Sequence, residues 1–344
     1  MILRVLKRNV PFAATTLVCL LLYVGAGIKF HDDGFLSLRV FMNFFSDNAF
    51  LGIAAIGMTF VILSGGIDLS VGGIIGLVSI TLALCIEKLN LHASIAIPLV
   101  LVMGTVLGTS MGCLIHYFAL PPFLVTLAGM FFARGLGLVL SLESISINRY
   151  IDAITTALTF EVQRPFQWAD RVFEFVNLSF RFGDDFSLTI ASTAVIYFAA
   201  FALAIWIAHF TRFGRNVYAI GGNEQSATLM GLPVARTKIG VYAFSGFCSA
   251  LAGVVYTFYT FSGNATAGMG LELDAIAAVV IGGTLLSGGV GYLAGTFVGI
   301  LIFGIIQTAI IFQGTLSSWW TKIAIGVLLL IFILLQKLIQ AKRL

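Results

Sequence analysis

The chain has 344 residues, 59% hydrophobic and only 10% charged, where soluble domains carry about 25% charged residues. With a mean hydropathy of +1.05, that composition excludes a soluble globular protein and indicates a polytopic membrane protein. The formal net charge is only +4 and no basic run occurs, so nothing points to a nucleic-acid partner.

At roughly 20 residues per span plus short loops, the length allows roughly eight to eleven helices. The 37 glycines suit closely packed membrane helices. Arg4, Lys7 and Arg8 precede an apolar run from Val10 to Ile28. That run is longer than the roughly 7–15-residue core of a signal peptide and lacks a clear A-x-A site, so it reads as an uncleaved first span. Further apolar runs place spans near 39–63, 70–86, 93–115, 123–141, 188–208, 238–259, 272–287, 290–312 and 319–336. The expected fold is an all-α, multi-pass membrane protein of about ten helices in one domain over 1–344. The eighth span is short enough to be broken or re-entrant.

Charge sets the expected orientation. Arg4, Lys7 and Arg8 precede the first span, Arg212, Arg215, Arg236 and Lys238 lie between the sixth and seventh, and Lys337, Lys342 and Arg343 follow the last. Ten spans put all three groups on one side, which the positive-inside rule makes cytoplasmic, with both termini inside. Segment 141–187 then forms an extracytoplasmic loop, rich in carboxylates. Within it Phe166, Ala169, Val172, Phe173 and Val176 recur at helical spacing, which predicts a short amphipathic helix. Such a helix either packs on the bundle or offers a docking surface to an external partner. Trp319 and Trp320 fit an outer aromatic belt.

Stretch 57–73 interrupts the apolar pattern. Gly65-Gly66 and Gly72-Gly73 flank Asp68 and Ser70, with Ser64 just before. Glycines loosen a helix, and backbone freed inside a bilayer needs protein or a water-filled cavity beside it. A polar pathway through the membrane is therefore expected here. Two readings of Asp68 stand. In one, Asp68 or Ser70 caps the next span; in the other, Asp68 faces the pathway and binds a polyol such as a sugar. Asp47, Asn48, Thr59 and Ser64 are further pathway candidates. A weaker echo, Gly282-Gly283-Thr284-Leu285-Leu286-Ser287-Gly288-Gly289, matches Gly65 to Gly72, and adds Thr284 and Ser287. Paired glycine breaks in two parts of a transporter point to its binding site.

Arg134, the other intramembrane charge, either snorkels, pairs with a carboxylate or serves the substrate. Glu272 and Asp274 suit the start of the eighth span. Cys19, Cys85, Cys113 and Cys248 sit in apolar runs without metal-like spacing and read as buried thiols. His31, His92, His116 and His209 form no cluster.

Segment 209–238 is the most informative polar piece. Asn223 is an N-cap candidate, Glu224 favours a helix start, Ala227, Leu229 and Met230 supply apolar surface, and Gly231-Leu232-Pro233 ends the run. A short helix of this kind on the cytoplasmic side either packs on its own loop or wants a partner protein to cover it. No G-x-x-x-x-G-K-[ST] phosphate loop occurs, so the chain does not hydrolyse nucleotide by that route, and no H-E-x-x-H or other catalytic constellation appears.

Ile62-Leu63-Ser64-Gly65-Gly66-Ile67-Asp68-Leu69-Ser70-Val71-Gly72 closely resembles the signature of permease subunits in ribose-, xylose- and arabinose-type ABC monosaccharide importers. Thr211-Arg212-Phe213-Gly214, Tyr218-Ala219-Ile220-Gly221-Gly222-Asn223 and Met230-Gly231 look like that family's cytoplasmic coupling segment. Ala277-Ala278-Val279-Val280-Ile281-Gly282-Gly283 and Leu286-Ser287-Gly288-Gly289-Val290-Gly291 match its later glycine-rich stretch. Within the family, Thr126-Leu127-Ala128-Gly129-Met130-Phe131-Phe132 and Gly314-Thr315-Leu316-Ser317-Ser318-Trp319-Trp320-Thr321-Lys322 look most like the second permease of galactofuranose importers. Segment 150–187 carries no family motif.

The resemblance implies a bacterial inner-membrane permease that binds no cofactor itself. It also implies a second, identical or related, permease chain, cytoplasmic ATPases that use the ATP, and a periplasmic sugar-binding protein. Arg212, Asn223, Glu224, Ala227, Met230 and Gly231 would form the ATPase-coupling surface. The competing expectation is an ATP-independent transporter or facilitator with Asp68 as its proton or ion site. A membrane-embedded enzyme is a third, weakened by the missing catalytic cluster.

Overall fold

The computed structural model describes residues 10–147, 178–182, 186–190, 192–317 and 319–341. The amphipathic helix expected at 166–176 lies outside the described residues.

Helices overlap the expected spans, two of them in 39–63, and α8 and α9 fall in segment 209–238: α1 (Val10–Lys29), α2 (Leu38–Asp47), α3 (Ala49–Leu63), α4 (Val71–Ala83), α5 (Ala93–Tyr117), α6 (Pro122–Leu140), α7 (Ser192–Phe210), α8 (Arg212–Gly222), α9 (Glu224–Leu229), α10 (Val234–Thr260), α11 (Leu271–Ile281), α12 (Leu293–Gln313) and α13 (Trp319–Ala341). Among the described residues, 7 helical stretches are long and apolar enough to cross a membrane, or 8 if α2 and α3, bent by 55° to each other, make one broken span rather than a re-entrant loop. The chain is an all-α multi-pass membrane protein.

The bend falls at Asn48, whose Nδ2 donates to the Phe44 carbonyl at 3.0 Å. A side chain thus occupies a carbonyl that the interrupted helix leaves open. The eighth expected span is shorter than 272–287: α11 ends at Ile281 after 11 residues. Its rise of about 17 Å is little more than half the ~30 Å hydrocarbon core. The sixth span begins later than 188, because Leu178–Phe182 (β2) and Phe186–Ile190 (β3) pair as antiparallel strands before α7 starts at Ser192. Phe186, Leu188 and Ile190 extend the apolar run in the sequence but follow the two-residue period of a strand. A second short ladder joins Ile145–Ser146 (β1) to Ser262–Gly263 (β4).

The chain divides into two compact units. The first comprises Met1–Ile67, Tyr197–Lys238 and Leu273–Leu344; the second comprises Asp68–Ile196 and Ile239–Glu272.

In the first unit α12 packs against α1, α2, α3 and α13. Phe45, Tyr197, Phe198 and Phe297 form an aromatic knot, with ring centroids 4.9 Å apart for Phe45 and Phe198. Polar side chains serve the end of α11. Thr15 Oγ1 donates to the Ile281 carbonyl at 2.6 Å and Gln336 Nε2 to the Val280 carbonyl at 3.1 Å. Without water nearby, last-turn carbonyls need such donors.

In the second unit α4 is apolar on all sides and buried nearly throughout, as expected of a helix surrounded by others. It packs on α5 and α6. α5 and α10 cross at backbone contact: a β-carbon built on Gly246 would stand 2.3 Å from the Gly104 carbonyl oxygen. Small residues permit this approach where lipid supplies no hydrophobic drive between helices.

Candidate functional site

The signature stretch begins as the end of a helix. α3 stops at Leu63, and Gly65 takes φ +85°. The Gly65 amide returns to the Ile62 carbonyl at 2.9 Å and the Gly66 amide to the Val61 carbonyl at 3.0 Å. These two bonds make a Schellman cap, which needs the left-handed conformation glycine adopts freely. Ser64 is half-buried and donates to the Val61 carbonyl at 2.7 Å. Earlier on α3, buried Thr59 bonds the Ala55 carbonyl at 2.6 Å and the Thr296 hydroxyl at 2.8 Å. Asp47 is half-buried and Asn48 buried at the bend.

In the second unit, fully buried Asp68 collects three donors. Its Oδ1 accepts the Ser70 amide at 2.9 Å and the Ser70 hydroxyl at 2.6 Å; its Oδ2 accepts the Ser245 hydroxyl at 2.7 Å. Ser70 is the N-cap residue of α4, but its hydroxyl makes no capping bond. The carboxylate therefore holds the N-cap residue itself rather than the first-turn amides, and its other oxygen reaches α10. Tyr242, one turn before Ser245, has a buried hydroxyl without a hydrogen-bond partner. Glu272 is likewise buried, its Oε2 unpartnered and lodged against Gly72. Arg134 forms no ion pair with it: its Nε is buried without a partner. Asp274 pairs instead with Lys322.

The later glycine stretch repeats the cap in the first unit. α11 stops at Ile281 and Gly283 takes φ +93°. The Gly283 amide bonds the Val280 carbonyl at 2.9 Å and the Thr284 amide bonds the Val279 carbonyl at 3.2 Å. Gly283 is thus the counterpart of Gly65, and Thr284 of Gly66. The sequence echo pairs Gly65 with Gly282, one residue out of register, because GG pairs match before geometry is known. Thr284 is fully buried, and its Oγ1 has no partner; Ser287 is exposed.

Between these breaks, also within the first unit, lies segment 211–233. Thr211 caps α8, its Oγ1 accepting the Gly214 amide at 3.2 Å. Asn223 caps α9, its Oδ1 accepting the Ser226 amide at 2.8 Å. α9 closes with a third Schellman cap: Gly231, at φ +75°, bonds Thr228 at 2.9 Å and Leu232 bonds Ala227 at 3.0 Å. Leu232 packs on Ile220, Ala227 and Val234, the apolar contact that accompanies this cap. Glu224 pairs with Lys238 at 2.7 Å. α9 is therefore held at both ends, yet Leu229 and Met230 are 89% and 68% exposed. Arg212 is exposed on α8.

α8 is fastened to both breaks through backbone. A β-carbon on Gly221 would stand 1.7 Å from the Leu63 carbonyl oxygen and 2.6 Å from the Gly289 nitrogen. The Gly289 amide itself donates to the Leu63 carbonyl at 2.9 Å. Tyr218 donates its hydroxyl to the Gly291 carbonyl at 3.1 Å. Burial, and secondarily Tyr292 beside it, pushes the Tyr218 hydroxyl up to about 12, so it keeps the donating proton. Contacts this close transmit displacement, because packed interiors do not compress. Moving α8 moves the end of α3 and the loop before α12.

Sequence reasoning named Asp68 and Ser70 but missed Ser245, which carries no local signal inside an apolar helix. It missed Gly221 and Tyr218 as links to the breaks, although their glycine-rich surroundings marked a close approach. No cluster of metal-ligating side chains occurs among the described residues.

The family described as the permease component of branched-chain amino acid transport systems matches residues 40–333. The chain is 48% identical over 332 residues, 96% of its length and 93% of the relative's, to the inner membrane ABC transporter permease protein YjfF of Escherichia coli K12. It is 35% identical to the fructose import permease protein FruG of Bifidobacterium longum, over 97% of this chain and 93% of that one. It is 37% identical to the ribose import permease protein RbsC of Bacillus subtilis, over 89% and 87% respectively. No solved structure matches. The family match over residues 40–333 and these relatives, aligned along nearly the whole chain, show that the chain belongs to this ABC transporter permease-component family.

Proposed function

We propose that the chain is the membrane-spanning permease of an ATP-binding-cassette importer that carries a monosaccharide inward across the bacterial cytoplasmic membrane. The fructose and ribose import permeases among its relatives support a sugar over the amino acid of the family description. Galactofuranose is the sugar we favour, on the motifs around Thr126 and Trp319. Both termini and segment 209–238 face the cytoplasm. There a partner ATPase binds and hydrolyses ATP, a second permease chain completes the channel, and a periplasmic binding protein delivers the sugar.

The observation that carries this reading is α9: a helix capped at both ends, and ion-paired at its start, that nonetheless exposes Leu229 and Met230. Ordering a loop so firmly around bare apolar side chains makes sense when another protein covers them. Arg212, Asn223, Glu224, Ala227, Met230 and Gly231 then form or support that surface. ATP-driven closure would push α8 against Leu63 and Gly289 and so bias the two glycine breaks. Along the pathway, Asp47, Asn48, Thr59, Ser64, Asp68, Ser70, Thr284 and Ser287 are the proposed polar groups. Thr284 and Ser287 rank first, because Thr59, Ser64, Asp68 and Ser70 already spend bonding capacity within the protein.

The test is sugar uptake into vesicles with and without the ATPase and binding protein, for wild type and Leu229→Asp. Uptake should require ATP hydrolysis, and Leu229→Asp should abolish it while the permease still folds. Uptake that ignores ATP and follows a proton gradient would instead establish the ATP-independent transporter.

A further inference from the structure

Thr284 is fully buried, and its hydroxyl has no hydrogen-bond partner among the described residues. Bare backbone forms part of its cover. A β-carbon built on Gly291 would stand 2.6 Å from Thr284 Oγ1, so Gly291 lies directly against the hydroxyl. Gly291 follows a closed ring of chain: the Leu285 amide donates to the Val290 carbonyl at 2.9 Å and the Gly288 amide to the Leu285 carbonyl at 3.0 Å. α8 holds this ring at two places, both within the first unit. At its neck the Tyr218 hydroxyl donates to the Gly291 carbonyl. At its tip, β-carbons on Gly288 and Gly289 would stand 2.9 Å from the Gly221 carbonyl oxygen and 2.7 Å from the Gly222 nitrogen. Given the pathway role proposed for Thr284, we infer that segment 285–291 is a lid over its hydroxyl and that Tyr218 latches the lid to α8.

The two attachments act differently. Steric contact at the tip transmits a push, because packed backbone does not compress, but it cannot pull. The Tyr218 bond supplies the pull: as α8 withdraws, the Gly291 carbonyl goes with it and the Gly291 Cα leaves Thr284. The ring moves as one piece because its two internal bonds tie it. Glycine stands on both sides of the swing, Gly283 at φ +93° before the ring and Gly291 after it. The closed state is also the less satisfied one. A buried hydroxyl without a partner has lost its hydration and gained nothing, so meeting water or a sugar hydroxyl offsets part of what opening breaks. Tyr218 is thus a positioning residue: it acts through Gly291 and sets when Thr284 meets solute.

The experiment uses the full-length protein carrying Thr284→Cys, in lipid nanodiscs that leave both faces open to water, without ATPase or sugar. Reaction with a small cationic methanethiosulfonate is timed by mass spectrometry at position 284 and at the buried native thiol Cys248. With Tyr218 in place, the thiol at position 284 should react about as slowly as Cys248. Adding Tyr218→Phe should raise its rate several-fold and leave Cys248 unchanged. Gly291→Ala, whose methyl would crowd side chain 284, should do the same and decides the matter should Tyr218→Phe fail to fold. Fast reaction at position 284 with Tyr218 in place would overturn the lid. So would a rate that neither variant changes, or a rise shared by Cys248, which would make Tyr218 a prop of the whole fold. The outcome is separable from that of the uptake test. Unchanged rates beside ATP-driven uptake would refute the lid and leave the importer; a several-fold rise in a chain whose uptake ignores ATP would do the reverse.

Discussion

At Gly65 and at Gly283 a buried helix ends on a glycine of positive φ, and two amides fold back onto the last turn in the same pattern. Beyond those glycines the two breaks diverge. After Gly65 the chain reaches Asp68, whose two oxygens take three donors and settle the start of α4. After Gly283 it reaches Thr284, buried with an unpartnered hydroxyl, and then runs without helix to Tyr292. One break is saturated with internal bonds; the other keeps a hydroxyl to spare. The shared cap solves the backbone problem that any membrane helix end poses. The residues beyond it are free to differ, and there one break has become a rigid joint and the other a place with spare bonding capacity.

The contact both breaks share is the severest point at which to disturb them. Gly221→Val would place a side chain where the Leu63 carbonyl and the Gly289 amide already meet. Overpacking usually costs about 1–3 kcal/mol, and here backbone on both sides leaves little room to yield, so the upper end or beyond is expected. Loss of folded protein from membranes, followed by denaturant titration of what remains, measures it. A variant of normal stability would mean that α8 can lift away from the breaks, and the proposed mechanical link would fail.

The saturated break comes next. Asp68→Ala should destabilise by about 2–4 kcal/mol, since the Ser245 and Ser70 hydroxyls and the Ser70 amide lose their acceptor in a fully buried site. Asp68→Asn, which keeps one acceptor oxygen, should lose roughly half as much. Titrating the purified variants with denaturant separates the two. If Asp68→Ala unfolds like wild type while uptake collapses, the carboxylate serves solute, as the polyol-binding reading of Asp68 holds.

How far these contrasts could be read in the sequence depends on whether their cause is local. Helix ends were legible because glycine at a left-handed position, Asn223 at an N-cap and Pro233 after a cap act through neighbours in the chain. The spans were legible because hydrocarbon imposes one strong compositional rule. The strand pair before α7 was not, since a short apolar alternation passes for the edge of a span. Nor was the Asp68–Ser245 bond, which joins residues 177 positions apart and depends on where α10 packs. The register error between Gly282 and Gly283 has the same root: two adjacent glycines look equivalent until one of them takes positive φ.

The smallest expected effect falls at the open break and separates its two interpretations. Thr284→Val removes only a hydroxyl that has no partner in the protein. Deleting an unsatisfied buried group leaves stability unchanged or raises it by up to about 1 kcal/mol. If the hydroxyl belongs to the sugar pathway, uptake should nonetheless fall several-fold, with ATP hydrolysis by the partner still coupled to what transport remains. Stability and uptake are then measured on the same preparation. A parallel fall in both would make Thr284 another structural group, equivalent in role to Asp68, and the contrast between the two breaks would reduce to their sequence. A fall in uptake alone would keep it, because only a group with bonding capacity to spare can lose its function without loosening the fold.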